Sequence, residues 1–304
     1  MFKKKIIRVI IQSKKTYSYK LYMKKHVMLG VGVTNQSEKE ILEYIVRAVE
    51  KTREKFLVVT PNPEILVYAH HHKTFQNILN NAKISLADGI GVILAGKFLG
   101  KSFVSRVTGI DLLEKLCEAV SKKPITVGFL GAKPKVAELT AECLVSRYPN
   151  LKVVFASDNW SKEGFLVTNP RLEIRNSKLE NKSLDSNFQV QQSSLQRPVS
   201  SIKSVDILFV AYGFPKQEEF MAQNLDKLPV RVMMGVGGAF DYISGQVPRA
   251  PKWLRSIGLE WLFRLFVQPW RLVRQLALLE FLWLILKERL IKDTLFNNRT
   301  LGML

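Results

Sequence analysis

Residues 205–251 read VDILFVAYGFPKQEEFMAQNLDKLPVRVMMGVGGAFDYISGQVPRAP, and this stretch decides the fold. It opens with an apolar run, 205–211, of the length and β-branched character of a buried strand. The run stops at Tyr212-Gly213 and a polar helix is expected from Pro215, since proline suits a first helical turn whose N–H groups are unpaired anyway. A second apolar run, 230–236, ends in Gly237-Gly238, and glycines after a strand let backbone approach a ligand. Strand–glycine–helix junctions aim free N–H groups and a positive helix end above the sheet. Two of them about 25 residues apart point to neighbouring strand ends forming one anion-binding crevice. Ordinary βα turns would show the same glycines.

Outward from this stretch, strands and helices alternate. Strands are expected at 27–33, 56–59, 84–87, 125–130 and 152–156, and helices at 38–51, 64–72, from after Gly91 to about 99, 111–121 and 134–148. The βαβα rhythm predicts an α/β fold, a mostly parallel Rossmann-like sheet flanked by helices. Residues 171–204 interrupt it: fifteen of these 34 are Ser, Asn or Gln, the composition of a disordered surface insertion. After Pro251 come two helices, 253–267 and 270–293, separated by Pro269 and rich in Trp, Leu and Phe. The most apolar part, 276–286, contains Glu280 and is about half of what spanning a bilayer needs. These helices either pack on the body or lie at an interface, with Trp253, Trp261, Trp270 and Trp283 at headgroup depth. The chain divides into a basic extension (1–26), a catalytic α/β domain (27–245) and a C-terminal helical appendage (246–304).

The formal net charge is +20 over 304 residues. It is concentrated at the two ends: residues 1–25 hold nine Lys/Arg and no acid, and residues 246–304 hold ten Lys/Arg against four acids. Such ends suit an anionic surface. The first 25 residues do not form a signal peptide, because Arg8 breaks their only apolar run and no small-residue cleavage site follows. They are either solvated or laid on anionic lipid; Met23 and Met28 are alternative starts. Cys117 and Cys143 fall in helical patterns and read as reduced thiols.

Asp88 ends a strand and opens a glycine-flanked turn, as a ligand-facing carboxylate or as a helix cap. Thr60 and Asn62 end the neighbouring strand, suited to hydroxyl-rich ligands or to turns around prolines. Arg106 is a phosphate or acid partner. Consecutive His70, His71 and His72 face different directions and make a poor metal site. No D-x-D occurs, which favours a site without metal. Gly128-Phe129-Leu130-Gly131 follows a strand but lacks the G-x-G-x-x-G spacing, so a nicotinamide-dependent oxidoreductase is disfavoured. A nucleic-acid binder would carry its charge on one face rather than at two ends.

The blocks TPNPE (60–64), ADGIGV (87–92), RVTGIDL (106–112), FLGAKP (129–134), DILFVAYGFPKQE (206–218), GVGGAFDYISG (235–245) and RAPKWLRSIGLEWLFRLFVQPWR (249–271) resemble the WecG/TagA/CpsF family of bacterial glycosyltransferases (glycosyltransferase family 26). The resemblance implies a metal-independent, inverting transfer without cofactor. The donor would be a UDP-sugar, typically of the UDP-N-acetylmannosamine type, and the acceptor a polyprenyl-diphosphate-linked sugar. The enzyme would be cytoplasmic and peripheral on the inner face of the membrane, and self-associating. By position, Asp88 matches the family's proposed base. Thr60, Asn62, Arg106 and Gln217 match pocket residues, and Arg264, Arg271 and Arg274 match arginines of a site-closing, membrane-docking appendage. Read from the residues themselves, one carboxylate suffices as base, and arginines and the helix end at Gly213 can take the charge of departing UDP. Gly237, Gly238, Asp241 and Tyr242 are expected at the nucleotide, with Tyr242 stacking on a base. The basic extension and the 171–204 insertion depart from the family pattern without touching its blocks.

Overall fold

The computed structural model describes residues 23–159 and 204–301. Most of the basic extension and all but the last residue of the expected insertion at 171–204 lie outside the described residues. The elements, in chain order, are β1 (Lys25–Met28), β2 (Val31–Thr34), α1 (Glu38–Lys51), β3 (Phe56–Val59), α2 (Pro63–His71), α3 (Lys73–Asn81), β4 (Ile84–Ser85), α4 (Ile90–Phe98), α5 (Gly109–Val120), β5 (Thr126–Gly131), α6 (Val136–Arg147), β6 (Lys152–Ser157), β7 (Val205–Ala211), α7 (Lys216–Asn224), β8 (Val230–Gly235), α8 (Ala239–Ile243), α9 (Lys252–Ser256), α10 (Glu260–Val267), a 3-10 turn (Pro269–Arg271) and α11 (Leu272–Leu301).

Six strands form one sheet in the order β4-β3-β8-β7-β5-β6, and every pairing in it is parallel. The expected α/β class is what the chain adopts. Apolar side chains alternate between the two faces with the period of a strand: Phe209 and Met234 face one helical layer, with α1, α5 and α6. Leu208, Val210 and Met233 face the other, with α2, α3 and α11. The last two strands in the chain, β7 and β8, occupy the middle of the sheet. Their glycine-bearing ends therefore lie beside the ends of β3 and β5, on the edge where open α/β sheets bind ligands.

Four local expectations are corrected. The strand expected at 27–33 is an antiparallel hairpin of β1 and β2. Leu29 and Gly30 both take left-handed backbone (φ 49° and 81°), the twist that two-residue hairpin turns require. A Cβ on Gly30 would also lie 2.5 Å from Gln76 Nε2. A helix at 73–81, α3, was not foreseen after the three histidines; Phe75 and Leu79 bury its apolar face. Pro215 stands before α7 rather than in its first turn. The helix expected at 253–267 is broken at Gly258, whose φ is 83° and whose absent Cβ would meet Ile90 Cβ at 2.6 Å. That glycine lets the appendage press against the first turn of α4.

α11 is apolar on two faces. Phe281, Leu284 and Ile285 are buried against the sheet's helical layer. Leu276, Leu279, Trp283, Leu286 and Leu290 form an outward stripe that remains exposed. A helix apolar all round would ordinarily be buried all round; this one is buried on one side only. Among the described residues no helix is long and apolar enough to cross a membrane. Cys117 is buried and Cys143 half-buried, and neither forms a disulfide.

Candidate active site

A cavity of about 690 Å³ opens between the strand ends of the body and the folded-back appendage. Its polar end gathers residues from six segments far apart in the chain. Asp88 comes from the turn after β4, Asn62 from the end of β3, and Arg106 from the loop before α5. Tyr242 comes from α8, Arg264 from α10, and Arg271 and Arg274 from the chain around the start of α11. The arginines on either side of Pro269 thus meet at one place because the two appendage helices fold back over the body.

Asp88 reaches this end through a turn in which Gly89 has φ 92°. Asp88 is half-buried and lines the cavity. It accepts a hydrogen bond from the backbone N–H of Gly109, at the positive end of α5. Burial nevertheless dominates and pushes its pKa up to about 7, with Glu260 adding to the rise and Arg106 opposing it. A carboxylate poised near neutrality is the property a general base needs. Gly109 keeps this turn close to the neighbouring strand: a Cβ would lie 3.1 Å from Thr60 Cγ2.

The cations are arranged with equal care. A Cβ on Gly238 would sit 2.3 Å from Arg264 Nη2, and the Arg264 guanidinium stands 5.0 Å from the centre of the Tyr242 ring. Gly238 and Tyr242 thus form a cradle for Arg264, with a cation–π contribution. The ring of Tyr242, expected at the nucleotide base, faces Arg264. Burial first, and then the charges of Arg264 and Arg274, together lower the Arg271 pKa to about 10. Three guanidinium groups crowded at one end of a cavity favour an anion among them. Arg274 is bidentate to Glu64, at 2.7 and 3.0 Å. Arg106 donates to the Arg255 carbonyl at 2.8 Å.

Five expected site residues do not line the cavity. Thr60 is buried, and its hydroxyl donates to the Gly235 carbonyl at 3.3 Å, tying β3 to β8. Gln217 is buried; its Nε2 donates to Glu218 Oε1 at 2.8 Å and its Oε1 accepts from Gly237 N–H at 3.0 Å. It therefore holds the turn after β8. Gly213 and Gly237 have positive φ with open space where a Cβ would be, and Asp241 lies in the first turn of α8. Asn62 lines the cavity, and its Oδ1 caps α2 by accepting from Ile65 N–H at 3.0 Å.

The sequence reading missed Glu64, Glu260 and Arg249. Arg249 pairs with Asp111 at 2.6 Å and with Glu260 at 3.2 Å, fastening the root of the appendage to α5. Its signal was available: Arg249 and Glu260 lie inside the block at 249–271, and Glu64 closes the TPNPE block. His71 pairs with Glu280 on α11. Among the described residues no group of three or more His, Cys, Asp or Glu is placed to hold a metal ion.

Residues 26–294 match the family described as Glycosyl transferase WecG/TagA/CpsF family. The chain is similar to three proteins named N-acetylglucosaminyldiphosphoundecaprenol N-acetyl-beta-D-mannosaminyltransferase. That of Bacillus subtilis (strain 168) is 28% identical over 90% of this chain and 96% of its own. That of Bacillus spizizenii is 31% identical over 76% and 78%, and that of Staphylococcus aureus (strain MRSA252) is 30% identical over 86% and 92%. A match across nearly all of the α/β body and into α11, joined to a cavity built from the same sequence blocks, makes this chain a member of the WecG/TagA/CpsF family of glycosyltransferases.

Proposed function

We propose that the chain transfers N-acetylmannosamine, with inversion and without a metal ion, from its UDP-linked donor to a polyprenyl-diphosphate-linked N-acetylglucosamine. The observation that carries this reading is that one cavity brings together the half-buried Asp88 carboxylate and three arginines. Asp88 takes the proton from the attacking acceptor hydroxyl as that oxygen bonds to the donor's anomeric carbon. The bond from that carbon to the UDP oxygen breaks, and its electron pair leaves with the diphosphate. Arg264, Arg271 and Arg274 meet the charge that develops there, fixed in position before the reaction. Arg106 and Asn62 line the acceptor side of Asp88; Gln217, Thr60, Gly213, Gly237 and Asp241 shape the strand-end turns behind the nucleotide. The relatives' names support the sugar and the acceptor.

The reading includes peripheral attachment to the inner face of the cytoplasmic membrane. Trp253, Phe266, Trp270 and Trp283 are all more than half exposed, beside Lys252, Lys287 and Arg289. Aromatic and cationic side chains in that combination suit an anionic lipid surface. The test is UDP release by purified protein given the UDP-sugar with and without the diphosphate-linked acceptor, each in excess chelator. Acceptor-dependent release that survives the chelator is expected. Release that requires magnesium or manganese would overturn the metal-free mechanism, and no release with any UDP-sugar would overturn the donor.

A further inference from the structure

The root of the appendage carries more charge than a fastening needs. The half-buried Arg249 guanidinium meets three acids: Nη2 stands 2.6 Å from Asp111 Oδ1, Nε 3.2 Å from Glu260 Oε1, and Nη1 3.6 Å from Glu114 Oε2. Glu114 is shared with Arg147, at 2.7 Å. The other cation near Asp111 is Arg255, at 3.8 Å. Among the described residues Glu260 has no ion-pair partner but Arg249. Two of the three acids lie beside Asp88. Asp111 Oδ2 accepts from the Thr108 hydroxyl at 2.6 Å, and the same hydroxyl caps α5 by accepting from Asp111 N–H at 3.2 Å. The next residue, Gly109, donates its N–H to Asp88. Glu260 lines the cavity with Asp88, and Arg249 does not. Glu64, Arg106, Arg264, Arg271 and Arg274 complete the charged groups on the cavity wall.

From this geometry we propose that Arg249 is a positioning residue for the transfer: one guanidinium holds Asp111 and Glu260 and offsets their charge where it would otherwise bear on Asp88. The inference rests on the reading of Asp88 as base and adds a residue outside the cavity that acts through it. Burial works against the charge on Asp111, but hydrogen bonds from Thr108 and Arg249 hold its carboxyl below the usual range, so it is ionised at neutral pH. Burial is also the chief reason why Asp88 keeps its proton; the charges of Glu260 and Asp111 add to it, and Arg106 opposes them. Without the Arg249 guanidinium, two carboxylates would stand uncompensated in a partly buried place, where charges are weakly screened. Their field disfavours the ionised form of Asp88, and the base becomes available only at higher pH. A fastening that merely loosened would instead lower turnover by one factor at every pH.

The test is a carbon-13 NMR titration of the full chain labelled at its aspartate carboxyls, the Asp88 signal being assigned by its absence from Asp88→Asn, alongside the pH dependence of kcat/KM. Arg249→Gln should raise the Asp88 midpoint by roughly 0.5–1 pH unit. Its loss in kcat/KM should be about three- to tenfold greater at pH 6 than at pH 9. Arg249→Lys keeps the cation and should stay near wild type. Glu260→Gln removes one acid and should move the midpoint down. Adding Arg249→Gln to Glu260→Gln should raise it again, in a chain where no Glu260 carboxylate is left orphaned to threaten folding. A midpoint unmoved by Arg249→Gln in both backgrounds would overturn the inference, as would a loss in kcat/KM equal at pH 6 and pH 9. The NMR titration needs no substrate and so separates the two proposals. Midpoints that shift as expected while Asp88→Asn keeps wild-type turnover would keep the hold of Arg249 on Asp88 and sink Asp88 as base. Turnover lost in Asp88→Asn, with one midpoint in wild type and Arg249→Gln, would do the reverse.

Discussion

The α/β body and the C-terminal appendage bury their apolar residues in opposite ways. Every strand of the parallel sheet is packed on both faces. Of the described apolar side chains from Lys252 onward, only Phe281, Leu284 and Ile285 are buried, while Trp253, Phe266, Trp270 and Leu279 stand in the open. The division extends to the chemistry. The body holds Asp88, a carboxyl kept near neutrality by enclosure; the appendage holds three arginines on a loosely buried frame. One half positions the proposed proton acceptor, and the other, fastened to it through Arg249, Arg274 and Glu288, brings the cations to it.

The largest expected effect falls on the body's half. Asp88→Asn preserves shape but cannot take the proton, and should lower turnover by about 10²–10⁴ with donor affinity nearly unchanged in a direct binding measurement. Near wild-type turnover would show that the body does not supply the base. On the appendage's half, Arg271→Ala should lower turnover by roughly 10², measured at saturating donor. Gly238→Ala probes the seam between the halves: its Cβ displaces the Arg264 guanidinium, a flexible group that can move aside. About a tenfold loss is expected, with an unaltered melting temperature; full activity would mean that the cradle is not needed.

A smaller effect concerns pH. In the folded chain the Asp88 carboxyl titrates at about 7, against roughly 4 when unfolded. Between those values the folded state holds a proton that the unfolded state releases. The associated stability is complete below pH ~4 and is lost as pH rises towards ~7. Glu218, also pushed up to about 7 by burial, has the same sign in both proteins and cancels in the comparison. Asp88→Asn should therefore melt above wild type by a margin that widens from pH 5 to pH 8. A constant margin would mean that Asp88 is ionised throughout. The wild-type kcat/KM should in turn rise with pH through about 7.

Much of this was legible in the sequence, and the losses have physical causes. Alternating apolar runs predicted the sheet because a strand buried on both faces has few other readings. Leu29-Gly30 was read through as strand because leucine rarely takes positive φ, and a turn of that kind leaves little trace in composition. The break at Gly258 was missed because it serves a contact with Ile90, more than 160 residues earlier. At the site, the sequence placed residues at strand ends but not the direction of their side chains. Thr60 and Asn62 are two positions apart; one ties two strands together and the other faces the cavity. The contribution of α4 to the cavity was hidden because IGVILAGKF is apolar throughout except for Lys97 and shows little periodicity.

The central claim is that the appendage arginines act on the reacting diphosphate and not on lipid. The smallest effect tests it best. Each basic residue near a membrane contributes only about 1 kcal/mol to attachment, and the proposed attachment rests mainly on the exposed Trp and Leu side chains. The measurement is turnover and sedimentation with anionic liposomes, on the same preparation of Arg271→Ala. The account predicts that turnover falls by roughly two orders of magnitude while the fraction bound to liposomes stays near that of wild type. Loss of liposome binding and turnover in parallel would contradict it, and would leave the departing UDP to be stabilised by some other group.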